Sequence, residues 1–269
     1  MLPILDVALA GIGRTIWGLP RLFAIYWLPW LLGTVILLIL EVLVQDQLRL
    51  GRVPDWARHI VWAPFAAMAY LMLLRWVLDR DPPVRAINLE VGRETWVATP
   101  IVAVWLVADI TVSDAPIPML RWLVFPSDVT AFRWEDVSAY YHAFQLAAWL
   151  VNGVLAACFF GLIVEVARCG WPDRREYWRL LSLQPMRLLC ISLLAVAAAG
   201  GAERLGSQAL AWLRVDQLAP ESMIPWRANI RWALIAELPY FPLHFLEFAI
   251  QGCILAEAYR RLVLGRGGQ

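Results

Sequence analysis

The sequence contains no lysine, so all 23 basic residues are arginine. Charged residues make up only 17% of the chain, and the formal net charge is +1. Because there is no strongly basic surface and no acidic tail, we exclude DNA and RNA as partners. The arginine-only usage, together with 16 tryptophans, is typical of a GC-rich bacterial genome, and we expect a bacterial protein.

Motifs of known chemistry are also missing. The four cysteines form neither a CxxC metal pattern nor a disulfide framework. No phosphate-binding GxxxxGKS loop, no HExxH, no GxSxG and no GxGxxG after a strand occurs. We therefore expect no cofactor, and we assign no catalytic residue and no metal ligand. An enzyme whose site is built from helices without a motif remains an alternative.

What the chain has in excess is apolar sequence. It is 61% hydrophobic with a mean hydropathy of +0.62, which is outside the range of soluble domains. A helix needs about 20 apolar residues to cross a bilayer. We predict an all-α fold: a polytopic integral membrane helical bundle, one transmembrane domain over residues 1–269. The six predicted transmembrane helices are 22–44, 59–79, 97–113, 139–167, 187–203 and 238–262.

The distribution of arginine predicts the orientation. Fourteen arginines lie at the two termini and in the second and fourth loops, and nine lie in the three remaining loops. By the positive-inside rule, we expect both termini in the cytoplasm and a multi-pass location in the bacterial inner membrane. The first span lacks a small-residue cleavage site, so we interpret it as an anchor rather than a signal peptide.

An internal repeat is indicated by two pairs of matching segments. YYHAFQLAAWLVNGVLAA in the fourth span aligns without gaps with PYFPLHFLEFAIQGCILA in the sixth. Glu165 and Arg168 resemble Glu257 and Arg260, each pair three residues apart near the end of a span. This match is offset by 92 residues and the first by 99, so either the fourth span contains an insertion or one match is chance. Amphipathic, arginine-bearing segments precede the first, third and fifth spans. We predict three helical-hairpin repeats, at approximately 1–82, 83–172 and 173–269, with interfacial amphipathic helices.

Repeated two-helix units with amphipathic lead-ins resemble the YciC-type six-helix bacterial inner-membrane proteins and the membrane domain of glycerophosphodiester phosphodiesterases. The resemblance covers most of the chain. It implies a polytopic bundle without implying an activity, because the catalytic domain of those phosphodiesterases has no counterpart here.

Two of the predicted periplasmic loops are long. VFPSDVTAFRWEDVSAY (124–140) and AWLRVDQLAPESMIPWRANIRWALIAEL (211–238) mix Trp, Arg and acids at near-helical spacing, which favours helices lying in the membrane surface. We expect them to cap the bundle, and the alternative is a docking surface for a partner protein.

Polar residues recur along one face of the last span. Their spacing of four, three and four places Tyr240, His244, Glu247 and Gln251 on one stripe that we expect to face inward. Ionisable groups in hydrocarbon are costly, so such a stripe is a candidate functional site. The fourth span carries a second polar stripe, formed by His142, Gln145, Trp149 and Asn152.

Three roles are open for these stripes: hydrogen bonding between helices, a site that contacts a lipid headgroup or solute, and a metal site. Hydrogen bonding between helices is the default. A metal site fits least, because the predicted depths of His59, His142 and His244 differ by about 15 Å.

The sequence thus favours a non-enzymatic scaffold or accessory protein, or a bundle that binds membrane lipids. One alternative is a small transporter that uses His244 and Glu247, and a further alternative is an intramembrane enzyme acting on a lipid headgroup. A transporter needs a polar path through the bundle, whereas an enzyme needs ionisable groups that converge on a crevice.

Overall fold

The computed structural model describes residues 3–44, 53–78, 92–114, 134–172, 174–212 and 238–264, which are almost entirely helical and include no strand. A 3-10 turn, Leu238–Tyr240, directly precedes the last helix. The helices are α1 (Ile4–Val42), α2 (Asp55–Val77), α3 (Arg93–Asp114), α4 (Trp134–Cys169), α5 (Arg174–Leu183), α6 (Pro185–Trp212) and α7 (Phe241–Leu264).

Six of these helices, all except α5, are long and apolar enough to cross a membrane. The predicted all-α class and the six apolar helices are therefore confirmed. The boundaries differ most at two helices: α1 begins at Ile4 rather than near Leu22, and α6 continues nine residues past Glu203. Hydropathy detects only the apolar part of a helix, whereas the backbone continues through the polar turns on either side.

Successive long helices run in opposite directions. Ion pairs join Arg75 near the end of α2 to Glu94 at the start of α3 (3.8 Å), and Glu41 of α1 to Arg58 of α2 (3.1 Å). Arg14 of α1 forms an ion pair with Glu257 of α7 (3.3 Å), so the start of α1 and the end of α7 lie at the same end of the bundle, which we call the closed end. We call the opposite end the cavity end.

The closed end is held together by buried charge. The carboxylate of Glu257, which is 1% exposed, accepts hydrogen bonds from Arg260 at 2.8 and 2.9 Å and from Arg261 at 2.8 Å. On α4, the buried Glu165 accepts a 2.7 Å hydrogen bond from Arg168. A buried carboxylate is tolerated only where donors surround it, and these arginines supply them.

Helix α7 lies at the centre of the packing. Its residues 252–259 are all buried, which requires neighbours on every side. On one side, a Cβ placed on Gly11 of α1 would lie 2.6 Å from the Cα of Ile254, so the two backbones touch. On another, the Tyr259 hydroxyl donates a 2.7 Å hydrogen bond to the carbonyl of Ala157 in α4.

The lead-in segments take two different forms. The segment before the first span is simply the beginning of α1, continuous with the span. The segment before the fifth span is the separate helix α5, which follows a chain reversal at Gly170, where φ is +74°. Glycine adopts that angle without strain, so it ends α4. Residues 79–91, which include part of the third lead-in, lie outside the described residues.

Small residues on α4, α6 and α7 predict close packing among the fourth, fifth and sixth spans. Gly153 of α4 does lie against Leu193 of α6, and the Ser192 hydroxyl donates a 2.6 Å hydrogen bond to the Gly153 carbonyl. Gly252 of α7, however, faces Leu73 of α2. Most of the two predicted surface helices lies outside the described residues, although 134–140 begin α4 and 211–212 end α6.

Candidate functional site

A cavity of about 890 Å³ occupies the cavity end of the bundle. All six long helices contribute to its walls. This volume is within the range of pockets that bind small ligands. The cavity is therefore the candidate functional site.

The walls change in character with depth. The floor is aromatic: the ring of Tyr70 lies 5.4 Å from that of Trp105 and 5.0 Å from that of Phe248, which stacks on Tyr26 at 4.7 Å. Towards the cavity end, ionisable side chains replace the aromatic rings. They are Glu41, Asp55, Arg58, His59, Glu203, Arg204 and His244, with Asp109 and Glu247 between the two zones.

Three carboxylates from three helices face this space: Asp109 of α3, Glu203 of α6 and Glu247 of α7. We call them the carboxylate cluster. They are close enough for their negative charges to repel one another. Within the described part of the chain, none of the three accepts a hydrogen bond or forms an ion pair. The cluster thus places three carboxylates, as hydrogen-bond acceptors, on the wall of the cavity.

The basic side chains that line the cavity, unlike the carboxylate cluster, either contact other groups or are exposed. Arg58 is engaged by two acids, Glu41 at 3.1 Å and Asp55 at 3.6 Å. The Nδ1 atom of His59 lies 2.7 Å from the Asp55 carbonyl oxygen, and His59 also attracts Asp109 electrostatically. Arg204 lies on the α6 turn next to Glu203, and its side chain is exposed. No arginine therefore lies against the carboxylate cluster within the described residues.

Asn152 is the most buried polar side chain of the cavity wall, with 8% exposure. Its Nδ2 donates a 3.0 Å hydrogen bond to the hydroxyl of Ser113, which joins α4 to α3. Its Oδ1 is buried and has no hydrogen-bond partner. Buried amide oxygens are nearly always paired, so this one is an exception among the described residues.

The structure brings together five of the seven predicted polar residues. These five, which line the cavity, are His244, Glu247, Gln251, Gln145 and Asn152. Tyr240 and His142 do not line the cavity, and both are exposed. Tyr240 belongs to the 3-10 turn rather than to α7, and His142 lies farther towards the cavity end than Gln145. Whether the five contact a ligand stays a prediction.

Seven ionisable wall residues are absent from the sequence prediction of this site: Glu41, Asp55, Arg58, His59, Asp109, Glu203 and Arg204. Asp109 and Glu203 each follow an arginine by 16 residues, which suggests acids at the far membrane surface. In the structure, both lie within a helix and line the cavity. Both are followed by further helix, to Asp114 and to Trp212, so each lies below a helix end.

No group of three or more His, Cys, Asp or Glu side chains in the described ranges has the arrangement of a metal site. The arrangement instead offers hydrogen-bond acceptors and negative charge above an aromatic floor. Comparison of the chain with protein-family models, with curated proteins and with solved structures finds no match.

Proposed function

We propose that this chain is a non-enzymatic, multi-pass protein of the bacterial inner membrane that binds a membrane lipid in its cavity. Both termini lie in the cytoplasm, and the cavity faces the periplasm. The orientation rests on the arginine distribution and agrees with α1 beginning at the end of the bundle where α7 ends. Alkaline phosphatase fused after residue 269 should be inactive, and fused in the 204–237 loop it should be active.

The observation that carries the proposal is the gradient inside the cavity. An ionisable zone lies above an aromatic floor, and this order matches an amphiphile with its polar group at the cavity end. A role restricted to hydrogen bonds between helices does not require a space of this size. Asn152 does form one such bond, to Ser113, but the carboxylate cluster forms none within the described residues.

Two glycines provide a direct test. A Cβ added to Gly201 of α6 would meet no atom within 4 Å, and Gly201 lines the cavity. A Cβ added to Gly13 of α1 would also meet no atom within 4 Å, but Gly13 does not line the cavity. Gly201→Phe should therefore fill the cavity without a clash, while Gly13→Phe is the matched control.

The measurement is native mass spectrometry of the protein purified in mild detergent. The parent protein and Gly13→Phe should each retain phospholipid, and Gly201→Phe should lose it. Equal retention by all three would contradict the proposal, because the bound lipid would then lie outside the cavity.

An enzyme that acts on a lipid headgroup is the second candidate. It is favoured by the convergence of three carboxylates and two histidines on one crevice. Incubation with radiolabelled phospholipid separates the two functions: a binding protein returns the lipid intact, whereas an enzyme releases a labelled product that is lost in Glu247→Gln. A transporter that uses His244 and Glu247 would also need a path to the closed end, so the aromatic rings of the floor would have to move apart.

The remaining parts of the proposal concern ancestry and assembly. The hairpin repeats 1–82, 83–172 and 173–269 are supported by equivalent ion pairs on α4 and α7, Glu165 with Arg168 and Glu257 with Arg260. We retain the YciC-type resemblance as a proposal on the same pattern.

An accessory role would use a protein-docking surface formed by the two long periplasmic loops, and chemical crosslinking from those loops in membranes tests it.

A further inference from the structure

We infer that the closed end of the bundle binds the phosphate group of an anionic phospholipid through the guanidinium groups of Arg14 and Arg261. The inference rests on the proposed orientation, which places the closed end at the cytoplasmic leaflet, but not on the lipid proposed for the cavity. It is carried by the charge at the closed end, by the number of hydrogen-bond donors there and by the apolar surface beside Arg14.

The first step concerns charge. Arg14, Arg260 and Arg261 all form ion pairs with one carboxylate, that of Glu257, at 3.3, 2.8 and 2.8 Å. Three positive charges around one negative charge leave an excess of two. Neither Arg14 nor Arg261 pairs with a second acid among the residues that the structure describes. An anionic ligand would supply the missing negative charge.

The second step concerns hydrogen bonding. Oε1 of Glu257 accepts hydrogen bonds from Arg260 and Arg261, and Oε2 accepts them from Arg14 and Arg260. A carboxylate offers about four lone-pair sites, so this one has no capacity left. Arg14 and Arg261 each use one of about five N–H donors on it. Their side chains are 25% and 33% exposed, so a ligand outside the protein can reach the remaining donors.

The third step concerns the geometry of the two donors. Because Arg14 and Arg261 contact the same carboxylate, their guanidinium groups are neighbours, and one phosphate group can accept hydrogen bonds from both. The guanidinium carbon of Arg14 also lies 5.9 Å from the centre of the Trp76 ring. This cation–π contact and the ion pair hold Arg14 in place before a ligand arrives.

The fourth step distinguishes a lipid from a soluble anion. Trp17 lies one helical turn from Arg14 towards the cavity end and is 89% exposed, and Ile16 beside it is 60% exposed. In the proposed orientation this direction leads into the bilayer. A lipid with its phosphate on Arg14 can therefore place its acyl chains against these side chains. Basic pockets between transmembrane helices on the cytoplasmic side are typical sites for anionic headgroups.

The experiment is a competition in the Gly201→Phe variant, whose substituted cavity keeps the proposed cavity lipid out of the count. The delipidated protein is mixed with equimolar phosphatidylglycerol and phosphatidylcholine that share the same acyl chains, and the bound species are counted by native mass spectrometry. We expect roughly tenfold preference for phosphatidylglycerol, which corresponds to one charge-assisted hydrogen bond. Equal binding of the two lipids would overturn the inference.

Matched variants locate the preference. Arg14→Gln and Arg261→Gln each remove one guanidinium group and should reduce the preference several-fold. Each leaves two arginines on Glu257, so the buried carboxylate stays paired. Arg58→Gln removes the same charge at the cavity end and should leave the preference unchanged. An unchanged preference in both Arg14→Gln and Arg261→Gln would place the lipid elsewhere and overturn the inference.

Two further measurements need no arginine variant. The preference should fall as the salt concentration rises, because salt screens charges at a partly exposed site, and a preference that does not respond to salt would contradict the inference. Inorganic phosphate at millimolar concentration should leave the lipid bound, and displacement would overturn the assignment to a lipid. If Gly201→Phe still retains the cavity lipid, the proposed function fails, whereas the comparison of the arginine variants stands.

Discussion

Arg14 and Glu257 lie 3.3 Å apart although 243 positions separate them in the chain. This contact joins α1 to α7, and it adds a third arginine to a carboxylate that already accepts hydrogen bonds from Arg260 and Arg261. The same two helices also contribute to the wall of the cavity farther along. Substitutions at the closed end can therefore test how much these contacts stabilise the fold, without changing the residues that line the cavity.

Glu257→Gln should destabilise the protein by about 3 kcal/mol, because three arginines lose their shared counter-charge in a buried site. Thermal unfolding in detergent measures the change. Glu94→Gln breaks the longer, partly exposed pair with Arg75 and should cost less than about 1 kcal/mol. Equal losses in the two variants would mean that burial at the closed end adds nothing.

Gly11→Ala and Gly13→Ala should change the free energy of unfolding in opposite directions, although the two glycines are only two residues apart. A Cβ at Gly11 would lie 2.6 Å from the backbone of α7, so the helices must separate, at about 1–3 kcal/mol. A Cβ at Gly13 meets nothing, and alanine should stabilise the helix there by about 0.5–1 kcal/mol. Midpoints of unfolding in a denaturant series measure both, and a loss in both variants would argue against the α1–α7 contact.

Tyr259→Phe should cost about 1 kcal/mol, since it removes the hydrogen bond to the Ala157 carbonyl and keeps the ring that packs against Phe160. Tyr240→Phe makes the same chemical change at an exposed ring and should be neutral. The same unfolding assay compares them. A neutral Tyr259→Phe would show that the hydroxyl contributes no net stability.

Glu247→Gln should leave the lipid-free protein as stable as the parent or slightly more stable, because it removes the cost of burying a carboxylate and, to a smaller extent, the repulsion from Glu203 and Asp109. The stabilisation gained by adding phospholipid should shrink, since a ligand stabilises only through its affinity for the folded state. Melting temperatures with and without lipid measure both. A clear loss of stability in the lipid-free state would instead indicate that Glu247 supports the packing.

The helices could be predicted from sequence because hydropathy and helical spacing are local properties of the chain. The stripe on α7 could be predicted for the same reason, and His244, Glu247 and Gln251 do share a wall. Asp109 and Glu203 could not be assigned to that wall, because their meeting depends on how α3 and α6 pack around α7. The closed-end contact between Arg14 and Glu257 is likewise a property of the tertiary fold, and nothing local in either segment predicts it.

Helix α1 contains Pro20 and Pro29, and each proline removes one hydrogen bond from the backbone ladder of the helix. Both lie between Arg14, which is tied to α7 at the closed end, and Glu41 at the cavity end. The helix is therefore easiest to bend in the stretch between these two anchors. If the part of α1 after Pro29 moves outward to admit a large ligand, the helix bends at these two prolines. The part before Pro20 then stays in place against α7.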